Sequence, residues 1–176
     1  MLDGGLGRIE HHFLGERTGS CYVDGSLAYG SPERPVVELA EVIDEVEPDT
    51  VLTFGPDGMT GHPDHRAVSA WTWEALGRSA LGQPRAGARL LHATLTGEFQ
   101  REFAGVAEPM DDGPDVFPVC PRSRLAVDLQ LGPADLDRKI AALSAHASQV
   151  GPLREALGEQ RYRRFVAGEW FRPAVM

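Results

Sequence analysis

The sequence predicts an α/β fold, a layered sandwich with a mainly parallel sheet. The chain has 176 residues, of which 42% are hydrophobic and 24% are charged, so it can bury a sizeable core. Short β-branched and apolar runs alternate with segments whose apolar residues recur at helical spacing. This alternation is typical of strand–helix–strand units, in which the strands run parallel. We therefore expect a single α/β domain over residues 1–176.

The first predicted elements precede a glycine-rich loop. Residues 20–23 form a short strand candidate that ends at the turn pair Asp24-Gly25. Residues 35–46 are predicted to form an amphipathic helix, because their apolar side chains fall on one helical face. Thr50–Phe54 is a β-branched and apolar run, typical of a strand buried on both faces, and a Gly-Pro-Asp-Gly turn follows it.

The remaining elements follow the same alternation. In chain order they are a helix from Pro63 through Leu76, strands over residues 89–95 and 125–129, a helix from Pro133, and a last helix over residues 157–166. In the first of these helices, Trp71 and Trp73 are expected to point to different sides, one buried and one exposed. The long loop over residues 108–121 is either a lid or a surface excursion.

The charge balance restricts the classes of partner. With 17 basic and 26 acidic residues, the net charge is −9, which disfavours nucleic acid or an anionic membrane as the main partner. No apolar run approaches the roughly 20 residues that span a bilayer, and the first residues lack a secretory signal, so we expect a cytoplasmic protein. Cys21 and Cys120 do not make a disulfide framework.

A histidine pair lies in the loop after the predicted buried strand. Residues 61–65 read Gly-His-Pro-Asp-His, and imidazoles three residues apart at a helix start project from nearly the same side. The helix dipole there disfavours imidazolium, which suits a metal ligand, and Asp64 is placed to orient or charge one ring. On these residues alone, a metal or catalytic site and an accidental pair are both open, because a catalytic zinc needs about three protein ligands.

At these residues the chain resembles the PIG-L/LmbE family of zinc-dependent N-deacetylases. Residues 53–65 look like the second of the two signature motifs of that family, and His146 opens a segment that resembles its C-terminal element. The resemblance implies a Rossmann-like fold and hydrolytic removal of acetyl from an amino sugar or related amide, with an N-acetylated small molecule, such as a glucosamine conjugate, as substrate. It implies that His65 is a zinc ligand and that His62 stabilises the oxyanion, with Asp64 as its charge partner. Asp24 would approach the sugar hydroxyls.

The sequence also departs from the family pattern. The first signature motif, Ala-His-Pro-Asp-Asp, does not occur, and Thr60 stands where some members place a tyrosine. The resemblance therefore implies an N-terminally incomplete domain, without the first strand and the loop that supplies two further zinc ligands and the general base. Two alternatives to an active hydrolase stay open: a non-catalytic, sugar-binding domain of the same fold, and a fragment whose complete chain is the enzyme.

The other histidines have less specific surroundings. His11 and His12 lie together in a polar segment and are expected to be solvated surface residues. His92 alternates with apolar residues in a predicted strand and is expected to be structural.

Overall fold

A computed structural model describes residues 31–79, 89–106 and 118–174 of the chain. Over these ranges the protein is an α/β structure in which helices pack around a four-stranded sheet. The strand predicted at residues 20–23, the candidate sugar contact Asp24 and most of the long loop at 108–121 lie outside the described residues. Within these ranges, no helix is long and apolar enough to cross a membrane.

The helices agree with the sequence wherever a long apolar periodicity exists. In chain order they are α1 Glu33–Val46, the short helical turn α2 Gly58–Gly61, α3 Pro63–Arg78, α4 Gly97–Glu102, α5 Pro133–Ser144, α6 Ala147–Leu157 and α7 Glu159–Phe165. The four predicted helices correspond to α1, α3, α5 and α7 and are confirmed. Helices α2, α4 and α6 were not predicted from the sequence.

The strands form a mixed sheet in the order β1-β2-β4-β3. They are β1 Thr50–Phe54, β2 Arg89–Ala93, β3 Val127–Gln130 and β4 Gly168–Pro173. Strands β1 and β2 pair in parallel, from Thr50 opposite Arg89 to Phe54 opposite Ala93, whereas β4 pairs antiparallel with both β2 and β3.

The expectation of a mainly parallel sheet therefore does not hold for the described strands. The difference comes from β4, which the sequence analysis did not predict as a strand. This segment inserts between β2 and β3 and runs opposite to both. An α/β fold is confirmed, and its described sheet is mixed.

Two apolar clusters hold the helices in place. The first joins α1 to α3 and consists of Val36, Ala40, Ile43, Trp71 and Ala75. The second lies among α5, α6 and α7 around Ile140, Tyr162 and Val166. Trp71 is 5% exposed and Trp73 is 51% exposed, so the predicted division between the two tryptophans is confirmed. The hydroxyl oxygens of Thr53 in β1 and Thr72 in α3 lie 3.3 Å apart, so α3 also contacts β1, the strand that precedes the histidine loop.

Candidate active site

The loop between β1 and α3 is a tight turn with unusual backbone angles. The N–H of Gly58 donates to the carbonyl of Gly55 at 2.8 Å, and the N–H of Met59 donates to the Asp57 carboxylate at 2.8 Å. Gly58 has φ +71° and Met59 has φ +59° with ψ −51°. Positive φ is easy for glycine, but at Met59 it costs on the order of 1–3 kcal/mol. Backbone strain of this kind is concentrated at functional sites, where the surrounding structure enforces it.

His62 caps the first turn of α3. Its Nδ1 accepts a hydrogen bond from the backbone N–H of Asp64 at 3.1 Å. A nitrogen that accepts a hydrogen bond carries no proton, so this partner assigns the proton of the neutral ring to Nε2. His62 therefore offers an N–H donor at Nε2.

His65 has the opposite tautomer. Its Nδ1 lies 2.9 Å from the carbonyl oxygen of Gly58 and 3.3 Å from the hydroxyl of Thr60. A carbonyl oxygen only accepts, so Nδ1 of His65 carries the proton and Nε2 carries the lone pair of the neutral ring. A histidine whose Nδ1–H is held by a backbone carbonyl is the usual form of a metal ligand that binds through Nε2.

The two rings lie next to each other, as their spacing predicts. Their centroids are 4.9 Å apart, and the ring planes are tilted by 32°. His65 also stacks on Phe54, the last residue of β1, with centroids 3.8 Å apart and planes within 5°. Two adjacent imidazole rings of opposite tautomer thus lie at the carboxyl end of β1, where α/β folds bind ligands.

Comparison with known proteins assigns this loop to a family. The PIG-L family model, GlcNAc-PI de-N-acetylase, matches residues 5–76, which include the whole loop. Relatives named 1D-myo-inositol 2-acetamido-2-deoxy-alpha-D-glucopyranoside deacetylase extend the similarity. The protein of Gordonia bronchialis is 31% identical over 67% of this chain, and that of Nakamurella multipartita is 34% identical over 81%. This chain belongs to the PIG-L family.

The chain spans about half the length of the curated relatives it matches. The matched region covers 43% of the Gordonia bronchialis protein and 50% of the Nakamurella multipartita protein. It covers 49% of a third deacetylase of the same name from Kineococcus radiotolerans, which is 30% identical over 82% of this chain. The sequence similarity is therefore established for about half of each of these PIG-L proteins.

The described residues were compared with the ligand set that a metal site of a PIG-L protein would need. The Nδ1–H tautomer of His65, with the lone pair on Nε2, fits a zinc ligand. In residues 31–79, 89–106 and 118–174, however, no group of three or more histidine, cysteine or acidic side chains is arranged to hold an ion. Since catalytic zinc takes about three protein ligands, these ranges fit one part of the site and do not supply the rest.

Asp64 contributes its backbone to the other histidine of the PIG-L motif. It is the backbone N–H of Asp64 that donates to Nδ1 of His62, and the residue itself is only 4% exposed. The expected action of its carboxylate as a charge partner stays a prediction. The expected sugar contact, Asp24, lies outside the described residues and also stays a prediction.

An ion pair joins the PIG-L motif to a distant strand, and neither of its residues was given a role from the sequence. Arg172 of β4 forms an ion pair with Asp57 across 115 positions of sequence. Arg172 also lies opposite His92 in the β2–β4 pairing. Burial lowers the pKa of His92, and the positive charge of Arg172 lowers it further, while the negative charge of Asp57 acts in the opposite direction. In a strand, Trp170 and Arg172 would point to the same face of the sheet, which could have drawn attention to Arg172. This argument was not accessible from the sequence, because β4 was not predicted as a strand.

The turn of this PIG-L chain is flanked by two cavities. One, of about 520 Å³, is lined by Asp57 and Arg172 together with Thr94 and Arg124. The other, of about 830 Å³, is lined by Arg66, Trp73 and His92, among others. The Nδ1 of His92 is buried and has no hydrogen-bond partner in the part of the chain that the structure describes. The loop contributes Pro56 to the larger cavity and Asp57 to the smaller one, and neither His62 nor His65 is among the described lining residues.

Proposed function

We propose that this chain forms part of the active site of a zinc-dependent N-deacetylase that acts on an N-acetylated amino-sugar conjugate. The observation that carries the proposal is the opposite tautomers of His62 and His65, which give one hydrogen-bond donor and one ligand nitrogen in adjacent rings. The names of the PIG-L relatives support a glucosamine–inositol conjugate as the class of substrate. We further propose that residues 1–176 belong to a single domain of Rossmann-like, layered architecture.

In this proposal His65 holds zinc through Nε2. The carbonyl of Gly58 keeps the proton on Nδ1 and fixes the ring, and stacking on Phe54 sets the ring plane. Zinc supplies Lewis acidity when it is bound, which polarises an amide carbonyl and promotes deprotonation of water. The described residues fit one ligand, and by the family resemblance the two further ligands would belong to the first signature motif, which does not occur in this sequence.

His62 stabilises negative charge on the substrate. When water attacks an acetamide carbon, the carbonyl oxygen becomes an oxyanion, and a fixed N–H donor aimed at that oxygen lowers the barrier. The Asp64 N–H holds the Nδ1 side of His62, so Nε2–H is presented as that donor. Removal of one such donor typically reduces kcat about 10²–10³-fold. Asp64 is assigned to charge support of His62, and Asp24 to a sugar hydroxyl.

A second candidate is a sugar-binding domain without turnover. It is favoured by the sequence, which contains no Ala-His-Pro-Asp-Asp motif, and by the lack of a complete ligand group within the described ranges. This candidate retains the same cavities and the same loop. It predicts binding of the N-acetylated sugar without hydrolysis, even when zinc is supplied.

The two candidates are separated by zinc content and turnover of the 176-residue chain. The assays are metal analysis after dialysis against zinc, release of acetate from N-acetylglucosaminyl-inositol, and calorimetric titration of that sugar. A deacetylase is expected to bind zinc and release acetate. Zinc content below one tenth of an equivalent and no acetate, combined with measurable sugar binding, would refute the enzyme for this chain and support the binding domain.

Substitutions then test the division of roles between the histidines. His65→Ala is expected to abolish zinc binding, whereas His62→Asn is expected to keep zinc and lose rate about 10²–10³-fold. Asparagine is the matched choice at position 62 because it is also a good helix N-cap, so α3 keeps its cap while the Nε2–H donor is lost. Equal loss of zinc in both variants would contradict the assignment.

A further inference from the structure

Arg172 connects a distant strand to the loop that carries the histidines. Its guanidinium donates to one carboxylate oxygen, Oδ2, of Asp57. The side chains of Arg172 and Asp57 are only 24% and 23% exposed, so the pair is largely shielded from solvent. Partial burial makes the loss of one partner costly, because the other charge is left poorly solvated.

Asp57 transmits this contact to the backbone of the turn. Its second oxygen, Oδ1, accepts from the N–H of Met59 at 2.8 Å. Met59 is the residue with the strained positive φ, so the carboxylate that Arg172 holds is also the group that stabilises the strained peptide. If Asp57 turned away, the strain would have no compensating hydrogen bond at this N–H.

The guanidinium also packs against the start of the turn. A Cβ atom placed on Gly55 would lie 2.9 Å from Nη2 of Arg172, closer than real Cβ contacts. The carbonyl of Gly55 accepts from the N–H of Gly58, which closes the turn at 2.8 Å. Arg172 therefore restrains the turn at Gly55 and at Asp57, on either side of Pro56.

The carbonyl direction of Gly58 depends on this turn. The peptide that follows Gly58 is the one whose N–H donates to Asp57, and its carbonyl oxygen accepts from Nδ1 of His65. One peptide group is thus held on its N–H side by the carboxylate and holds the imidazole on its carbonyl side. Rotation of that peptide would remove the acceptor that selects the tautomer of His65.

We propose that Arg172 is a positioning residue for His65, which it orients through Asp57 and the peptide between Gly58 and Met59. The inference rests on the proposed function in so far as His65 is taken as a zinc ligand. The positioning role itself does not require zinc. When the charge of Arg172 is lost, Asp57 is released and the peptide between Gly58 and Met59 rotates. The proton of His65 is then no longer confined to Nδ1.

The test reads the tautomer of His65 directly, without metal. The full chain is labelled with ¹⁵N-histidine, and long-range proton–nitrogen correlation spectra distinguish Nδ1–H from Nε2–H rings; the His65 signals are assigned by their absence in His65→Gln. Arg172→Gln removes the charge, Arg172→Lys keeps it, and Asp57→Asn weakens the link from the other side. Arg122→Gln is the matched control, because it removes an arginine–aspartate pair, with Asp128, elsewhere on the sheet.

The expected result is a single Nδ1–H tautomer for His65 in the parent chain, Arg172→Lys and Arg122→Gln. Arg172→Gln and Asp57→Asn are expected to lose that single form and show a mixture. The double variant Arg172→Gln/Asp57→Asn should show no larger fraction of the Nε2–H tautomer of His65 than the more affected single variant, because both substitutions break one linkage. A pure Nδ1–H tautomer in folded Arg172→Gln would overturn the inference, and so would an equal loss in Arg122→Gln.

A zinc titration separates this inference from the proposed function. If the parent chain binds zinc, Arg172→Gln is expected to bind it about 10- to 100-fold more weakly, the usual effect of removing a group that orients a ligand. If the parent chain binds no zinc and the tautomer still depends on Arg172, the positioning role stands and the zinc proposal fails. If zinc binds and the tautomer does not respond, the positioning role fails alone. Thermal denaturation of each variant establishes that the compared proteins are folded.

Discussion

The strain at Met59 predicts that a glycine at this position stabilises the fold. Met59 has φ +59° and ψ −51°, a region close to the rare γ-turn, which glycine reaches without steric cost. Substitution also removes a partly buried side chain, so Met59→Ala is the reference that removes it without changing the backbone preference. The comparison of Met59→Gly with Met59→Ala isolates the backbone contribution.

The magnitude follows from two opposing contributions. Relief of strain at a non-glycine residue with these angles is worth on the order of 1–3 kcal/mol. The greater freedom of glycine in the unfolded chain costs about 0.5–1 kcal/mol relative to alanine. We expect Met59→Gly to be more stable than Met59→Ala by about 1 kcal/mol, which corresponds to roughly 3 °C in Tm for a chain of this size.

Urea unfolding followed by tryptophan fluorescence measures this difference. Ala70→Gly is the control, since residue 70 is an exposed position inside α3 and glycine there should destabilise by about 1 kcal/mol. Glycine is expected to raise the free energy of unfolding relative to alanine at position 59 and to lower it relative to alanine at position 70. Equal stability of Met59→Gly and Met59→Ala, or a more stable alanine variant, would refute the strained turn and the support that it gives to the Gly58 carbonyl.

The remaining predictions concern the core and pH. Trp71→Ala should destabilise by about 3–5 kcal/mol and Trp73→Ala by less than about 1 kcal/mol, because only Trp71 is buried; similar midpoints in urea would contradict this. His92 has a pKa lowered from 6.5 by burial and by Arg172, so the unfolded chain takes up the proton first. The stability from neutral His92 is therefore complete above about pH 6.5 and is lost as pH falls through the lowered folded-state pKa. The free energy of unfolding should therefore decrease less between pH 7 and pH 5 in His92→Gln than in the parent chain. An equal decrease in the two proteins would show that protonation of His92 does not cause it.

The elements that could be predicted from the sequence are those with a long local signal. Helix α1 has apolar residues on one face over about four turns, and β1 is a continuous run of β-branched and apolar residues between two turn signals. Helix α6 was missed because Pro152 lies inside it, where proline normally argues against a helix. Strand β4 was missed because six residues after a helix carry little pattern, and their pairing with β2 and β3 is non-local.

The candidate site divides in the same way. The proximity of His62 and His65 follows from helical geometry and was predictable from their spacing. Their opposite tautomers were not, because the acceptor for His65 is the carbonyl of Gly58, whose direction depends on two consecutive positive φ angles. The contact of Arg172 with Asp57 was not predictable either, since it requires the register of β4 against β2.

Backbone groups of one loop select the tautomers of both His62 and His65. The Asp64 N–H makes Nδ1 of His62 an acceptor, and the Gly58 carbonyl makes Nδ1 of His65 a donor. The difference between the two rings therefore depends on the path of the chain from Gly55 to Asp64. It follows that a change at Arg172, which acts on His65 through Asp57, should alter what His65 can bind, because this linkage determines which way one peptide group points.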